Sequence, residues 1–211
     1  MTHNSPPYLL VLHAVRLLGF NEPAAIGARA GIDHDAVVDL LRDAEQHGWV
    51  RHDAFAGLEG WSLTEEGRRE NQRQLAQERV GADSDDVLRG VYRDFLPLNA
   101  RLVAACTDWQ LRPTNHDRLA ANDHADPAWD AHVLNELDEL STGLTALVAR
   151  LVAVLARFTG YDSRFDVALR RARAGQSEWV DRTGIDSCHR VWFELHEDLL
   201  ATLDIDRRAE N

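Results

Sequence analysis

The sequence contains no lysine and only two cysteines among its 211 residues. Arginine therefore supplies all 23 basic side chains, and against 35 carboxylates the net charge is −12. An excess of negative charge disfavours non-specific binding to nucleic acids and to anionic membranes. Cys106 and Cys188 are too few and too far apart in sequence for a disulfide scaffold or a four-cysteine zinc site, which is typical of a reducing compartment.

Long hydrophobic runs are also missing, since no segment of about 18 consecutive apolar residues occurs. The first eight residues, MTHNSPPY, lack the order of basic and then apolar residues that marks a signal peptide. We therefore expect no membrane partner and a cytoplasmic location.

Sequence motifs of common enzyme classes are absent. There is no G-x-S-x-G, no phosphate-binding glycine loop and no G-x-G-x-x-G, and the 13 glycines are scattered along the chain. The sequence predicts no catalytic residue, no enzymatic activity and no cofactor.

The first 48 residues carry the signals of three short helices. Apolar residues at helical spacing predict a helix over 8–18, and Asn21 as N-cap with Pro23 in the first turn predicts a second helix that ends at Gly31. Asp33 is the expected N-cap of a third helix that ends before Gly48. Two short helices joined by a tight turn predict a helix-turn-helix.

The pattern then changes to that of strands. Residues 49–53 and 60–63 are expected to form two strands around a loop that contains glycine, and Thr64 begins a helix with two glutamates in its first turn. The fold class predicted from this order is mainly α, a winged helix-turn-helix followed by a helical bundle. The predicted domains are residues 5–80 and 81–211.

The segment WVRHDAFAGLEGWSLTEEGRRE resembles the wing and following helix of MarR- and PadR-like bacterial regulators. The match includes Leu-Thr-Glu-Glu-Gly-Arg at 63–68, and the resemblance covers roughly residues 8–80. It implies a ligand-responsive transcriptional regulator that binds DNA as a homodimer, with residues 33–47 as the recognition helix. A protein-interaction module that no longer binds DNA is the alternative, because winged helices also serve in that role.

The charge of the third helix distinguishes these two functions. Residues 33–46 contain five carboxylates and one arginine, a net charge of −4, whereas most sequence-specific winged helices are neutral to basic on this face. If DNA is bound, the expected contacts are His34, Val38, Arg42, Arg51 and His52. Arg42 could instead pair with Asp39 or Asp43.

Residues 81–211 have the periodicity of four or five helices. We expect a kink or break at Pro97, a polar loop over 110–126, a long helix over 127–158 with a bend or division at 141–143, and shorter helices over 162–174 and 187–203. The apolar stripe from Leu134 to Leu155 is longer than one short helix could cover and favours a dimer contact.

Aromatic side chains in this half suggest a pocket for a small-molecule effector, formed by Trp109, Trp129, Trp192 and His196. A packing role is the alternative, and for Trp192 it is favoured. A metal site that joins His132 and Glu136 to His189 or His196 has permissive spacing, but no HExxH or CxxC motif supports it, so no metal is predicted.

Overall fold

The computed structural model describes residues 2–55 and 57–207. It is mainly helical, with 68% of residues in helices, eight α-helices and one two-stranded antiparallel sheet in the part of the chain it describes. The prediction of a mainly helical protein with a small β-hairpin is therefore confirmed.

The chain divides into two compact units. Unit 1 contains the described residues up to Asp86, Val154–Arg157, and the described residues from Glu197 onward; unit 2 contains Val87–Ala153 and Phe158–His196. The domain boundary near residue 80 stays a prediction. The sequence did not anticipate that the C-terminal segment belongs to unit 1.

Unit 1 begins with six elements in chain order. They are α1 (Pro7–Leu18), α2 (Pro23–Ala30), α3 (His34–Gln46), β1 (Val50–Phe55), β2 (Leu58–Leu63) and α4 (Glu65–Gly81). The strands pair antiparallel with Val50 opposite Leu63 and Asp53 opposite Gly60. Val11, Leu12, Ile26, Leu41 and Trp61 are among the side chains that form one hydrophobic core.

Helix starts in unit 1 follow the local chemistry. The Asp33 carboxylate accepts a hydrogen bond from the Ala36 amide, and the Thr64 hydroxyl accepts one from the Gly67 amide, as N-caps do. Asn21 is not the N-cap of α2, because Glu22 occupies that position and makes no side-chain cap. The Asn21 backbone instead exchanges two hydrogen bonds with Trp61, at 2.8 and 3.2 Å.

Unit 2 is built from helices and loops. α5 (Asp85–Gln110) begins in unit 1 and continues through Pro97 without a break, and residues 111–126 contain no helix, as expected. α6 (Pro127–Val152) follows, then a 3-10 helix (Ala156–Phe158) that begins in unit 1 and ends in unit 2, α7 (Tyr161–Arg173), a second 3-10 helix (Ser177–Trp179) and α8 (Cys188–Leu203). Residues 188–196 of α8 lie in unit 2 and the remainder lies in unit 1.

The prediction for residues 127–158 was wrong in two details. α6 ends at Val152, before Phe158, and it is not divided at 141–143. A Cβ atom at Gly143 would lie 2.9 Å from Leu98 Cδ1, so this glycine allows close helix packing and does not mark a break.

The apolar stripe of α6 lies inside unit 2. Leu137, Leu140, Leu144, Leu147 and Leu151 are all 5% exposed or less. Neighbouring segments of the same chain thus cover the stripe that had suggested a dimer contact. Among the described residues, no helix is long and apolar enough to cross a membrane.

Candidate functional site

α3 has a buried face and an exposed face. Val37, Leu41 and Ala44 point into the core of unit 1, while His34 and Arg42 are exposed and Val38 is half-buried. Of the three α3 residues predicted to contact DNA, His34 and Arg42 thus lie on the exposed face, and Val38 lies at its edge.

The exposed face of α3 is acidic. Asp35, Asp39 and Glu45 are exposed, and Arg42 makes no ion pair with any residue that the structure describes. The alternative pairings of Arg42 with Asp39 or Asp43 do not form, and Asp43 accepts a hydrogen bond from the Tyr8 hydroxyl instead. Arg42 is consequently a cation available to an external partner.

Arg51 and His52 of the hairpin both have carboxylate partners. Arg51 Nε lies 2.7 Å from Asp53 Oδ2, and His52 Nε2 lies 3.1 Å from Glu59 Oε1. The His52 ring also packs on Trp61, with centroids 4.8 Å apart. These exposed pairs are worth little energy, but they reduce the positive potential of the hairpin.

An open groove of about 510 Å³ lies beside the hairpin, lined by Phe20, Arg51, Asp53, Ala54 and Ser62. Phe20 is 39% exposed, and Leu58 on β2 is 65% exposed. The hairpin and the neighbouring Phe20 therefore present exposed apolar side chains next to paired charges.

The four predicted pocket residues lie in unit 2 in different surroundings. Trp109 lines a polar pocket, whereas the Trp129 indole donates a 2.6 Å hydrogen bond to the Asp108 carbonyl. Trp192 is 1% exposed and stacks on Phe95 at 5.3 Å, and the His196 ring lies 5.1 Å from the same Phe95 ring. Packing against Phe95 accounts for Trp192 and His196.

The pocket lined by Trp109 has a volume of about 260 Å³ and is lined by Trp109, Gln110, Asn122, His124, Ser177, Glu178 and Asp181. Sequence reasoning found only the tryptophan. The other side chains come from the end of α5, from the loop after it, and from the second 3-10 helix and the residues just after that helix, which no periodic pattern connects.

Metal-ligating geometry is absent from the part of the chain that the structure describes, where no group of three or more His, Cys, Asp or Glu side chains could hold an ion. Glu136, considered with His132 as a ligand, instead accepts a 2.6 Å hydrogen bond from Arg101. Cys106 and Cys188 are free and buried.

A buried ionic network in unit 1 was not anticipated. Arg157 Nε donates to Glu78 at 2.8 Å, and Arg157 also donates to Asp198, whose Oδ1 lies 2.9 Å from His13 Nε2. All four side chains are 5% exposed or less. Its members are distant in sequence, so no local pattern could reveal it.

Charge pairing in this network outweighs the cost of burial. Burial raises the pKa of Asp198, but the charges of Arg157 and His13 lower it by more, so its pKa lies well below the usual value. Burial lowers the pKa of Arg157, and the carboxylates of Asp198 and Glu78 raise it above the usual value. The network joins segments of unit 1 that are far apart in sequence. Because its side chains are almost fully buried, it offers no surface to a substrate.

Comparisons of the chain with protein-family models, curated proteins and solved structures find no match.

Proposed function

We propose that the chain is a DNA-binding transcriptional regulator in which residues 5–80 form a winged helix-turn-helix domain and residues 81–211 form a helical bundle domain. The observation that carries the proposal is the order of α2, a tight turn, α3, the hairpin and α4, together with the backbone pairing of Asn21 and Trp61. This arrangement places a short helix, capped by Asp33, beside a β-hairpin, as a winged helix requires.

In this proposal α3 enters the major groove and the hairpin lies along the phosphate backbone. Arg42 is the principal phosphate contact because it is exposed and has no ion-pair partner among the described residues. His34 and Val38 face base edges, while Arg51 and His52 exchange their carboxylate partners for phosphates.

The proposed regulator is a homodimer that responds to a small molecule. Because α6 is covered within unit 2, the dimer must use another surface, and we assign it to α5. Leu96 and Val103 lie seven residues apart on α5, on one face, and are 38% and 55% exposed.

A protein-interaction module is the second candidate function. It is favoured by the acidic face of α3, by the carboxylates that pair with Arg51 and His52, and by the exposed apolar side chains Phe20 and Leu58. Such a surface suits a basic or apolar partner protein better than a phosphate backbone.

Selection of genomic DNA fragments by the purified full chain at low salt tests the proposal. We expect enriched fragments that share a sequence, and we expect Arg42→Ala to lose them. Arg118→Ala is the matched control, because Arg118 is also exposed and free of ion pairs among the described residues but lies in unit 2. Failure to enrich any sequence would favour the interaction module.

A further inference from the structure

The polar pocket of unit 2 is held in shape by backbone contacts. Trp109 and Gln110 end α5, and the loop that follows returns so that the Asn122 amide donates to the Gln110 carbonyl at 2.8 Å. The Asn122 side chain also donates to the Trp109 carbonyl at 3.0 Å and to Asp130 Oδ1 at 3.0 Å. The pocket wall is therefore fixed in place before any ligand arrives.

Carboxylates on one side of the pocket have no cationic partner. Glu178 forms no ion pair with any described residue, and Asp181 accepts only a 2.7 Å hydrogen bond from the neutral Gln110 amide. Glu136 of the same unit, by contrast, has an arginine partner, with its Oε1 2.6 Å from Arg101 Nε. No arginine lines this pocket, so it attracts a cation.

Two aromatic side chains, Trp109 and His124, also line this pocket. Trp109 is 5% exposed and lines the pocket, yet its indole N–H has no acceptor among the described residues. Its ring packs on His124, with centroids 4.6 Å apart. His124 Nδ1 is occupied by Asp130 at 3.0 Å, which leaves Nε2 for another partner.

We propose that this pocket binds a small organic ammonium ion that also carries a hydrogen-bond acceptor. The ammonium group pairs with Glu178 and Asp181, and the acceptor takes the indole N–H of Trp109. A volume of about 260 Å³ lies below the usual range for drug-sized ligands and limits the ligand to a small molecule. The site lies within unit 2, and its binding is measured without DNA, so its test is separate from that of the proposed regulator function.

The test uses L-leucinamide, which has an ammonium group and an amide carbonyl, as the probe. Two analogues, each lacking one functional group, serve as comparisons: 4-methylpentanamide lacks the ammonium group, and 3-methylbutylamine lacks the amide that carries the acceptor. The readout is the indole N–H region of a ¹H–¹⁵N spectrum of the full chain, to which each of the six tryptophans contributes one signal. Loss of one signal in Trp109→Phe identifies that of Trp109.

We expect L-leucinamide to shift the Trp109 signal saturably, 3-methylbutylamine to bind more weakly, and 4-methylpentanamide to leave the signal unmoved. Glu178→Gln and Asp181→Asn should each weaken L-leucinamide binding by roughly tenfold, because each removes a charge-assisted hydrogen bond. Glu139→Gln, an equal change of charge elsewhere in unit 2, should leave the affinity as it is.

The proposal is overturned if L-leucinamide leaves the Trp109 signal in place, or if 4-methylpentanamide shifts it equally well. It is also overturned if the two carboxylate variants bind L-leucinamide as tightly as the natural chain does. A shift of the same signal by Mg²⁺ but not by L-leucinamide would mean that the pocket is an inorganic cation site.

Discussion

Two buried carboxylates illustrate how neighbours decide the cost of a charge. Asp198 in unit 1 faces Arg157 and His13, and its pKa is lowered despite burial. Glu194 in unit 2 also pairs with an arginine, Arg164, but burial raises its pKa by more than Arg164 lowers it. The ionised form of Asp198 therefore stabilises the fold, whereas the ionised form of Glu194 costs part of what its hydrogen bonds contribute.

Asp198→Asn is expected to lower the free energy of unfolding by about 3–5 kcal/mol, because it removes a carboxylate that pairs with the buried Arg157 and leaves that buried charge less compensated. Urea denaturation at pH 7 measures this loss. Glu194→Gln is the control and should cost less, since Arg164 keeps its pair with the half-buried Asp186, whose Oδ2 lies 2.8 Å from Arg164 Nε. Equal losses of unfolding free energy in the two variants would contradict the stabilising role given to ionised Asp198.

The same network predicts the response to acid. Because the pKa of Asp198 is lowered on folding, the unfolded chain takes up the proton first as the pH falls. The stabilising contribution is thus complete above the unfolded value of about 4 and is lost progressively below it. In urea denaturation at pH 7 and pH 3, the Asn variant should lose less stability between the two than the natural chain.

At the scale of elements, Gly67 allows the first turn of α4 to pack closely against the backbone of Trp49. The carbonyl of Trp49 accepts a hydrogen bond from the Thr64 amide, and a Cβ atom on Gly67 would lie 1.8 Å from that same oxygen. The resemblance motif at 63–68 thus contains a glycine that the packing of α4 against the start of the hairpin demands.

Gly67→Ala is expected to destabilise the protein by about 3 kcal/mol or more, because neither the helix nor the Trp49 backbone can move without losing cap hydrogen bonds. Thermal denaturation followed by circular dichroism measures the effect. Gly81→Ala, near the other end of the same helix, is the control, since a Cβ there meets nothing within 4 Å. If Gly67→Ala and Gly81→Ala had the same melting temperature, the close approach of Gly67 to the Trp49 carbonyl would be unimportant for stability.

Local chemistry made several elements predictable. Pro23, Asp33 and Thr64 mark helix starts within a few residues, and the change from helical to strand periodicity after Gly48 indicated the hairpin. The pairing of Asn21 with Trp61 and the close contact at Gly143 depend on residues far away in sequence. Such features follow from tertiary packing, which a single sequence does not display.

The same limit applies to the candidate sites. Periodicity anticipated the exposure of His34 and Arg42, but it could not show that Arg51 pairs with Asp53 or that Arg42 stays free. The aromatic ring of Trp109 predicts a pocket residue, whereas no sequence pattern marks Glu178 and Asp181. Those two residues reach the pocket only because the fold brings the region of the second 3-10 helix next to the end of α5.

At the scale of the whole molecule, the oligomeric state is the next consequence. We expect a homodimer by light scattering at micromolar concentration, and we expect Leu96→Glu with Val103→Glu to give a monomer because the charges would oppose burial of that α5 face. Ala104→Glu, at a position exposed on a different face of α5, adds a negative charge away from this pair as a control. A natural chain that is monomeric would count against the regulator.

The net charge of −12 makes DNA affinity the decisive property of this molecule. The most direct test compares binding of a non-specific DNA duplex at about 50 mM salt by the natural chain and by the double variant Asp35→Asn/Asp39→Asn. Removing two negative charges from the exposed face of α3 should strengthen binding several-fold, whereas Asp117→Asn/Asp123→Asn, an equal change in an exposed loop of unit 2, should not. If the α3 variant and the loop variant bind the duplex equally, or neither binds, α3 does not face DNA and the regulator proposal fails.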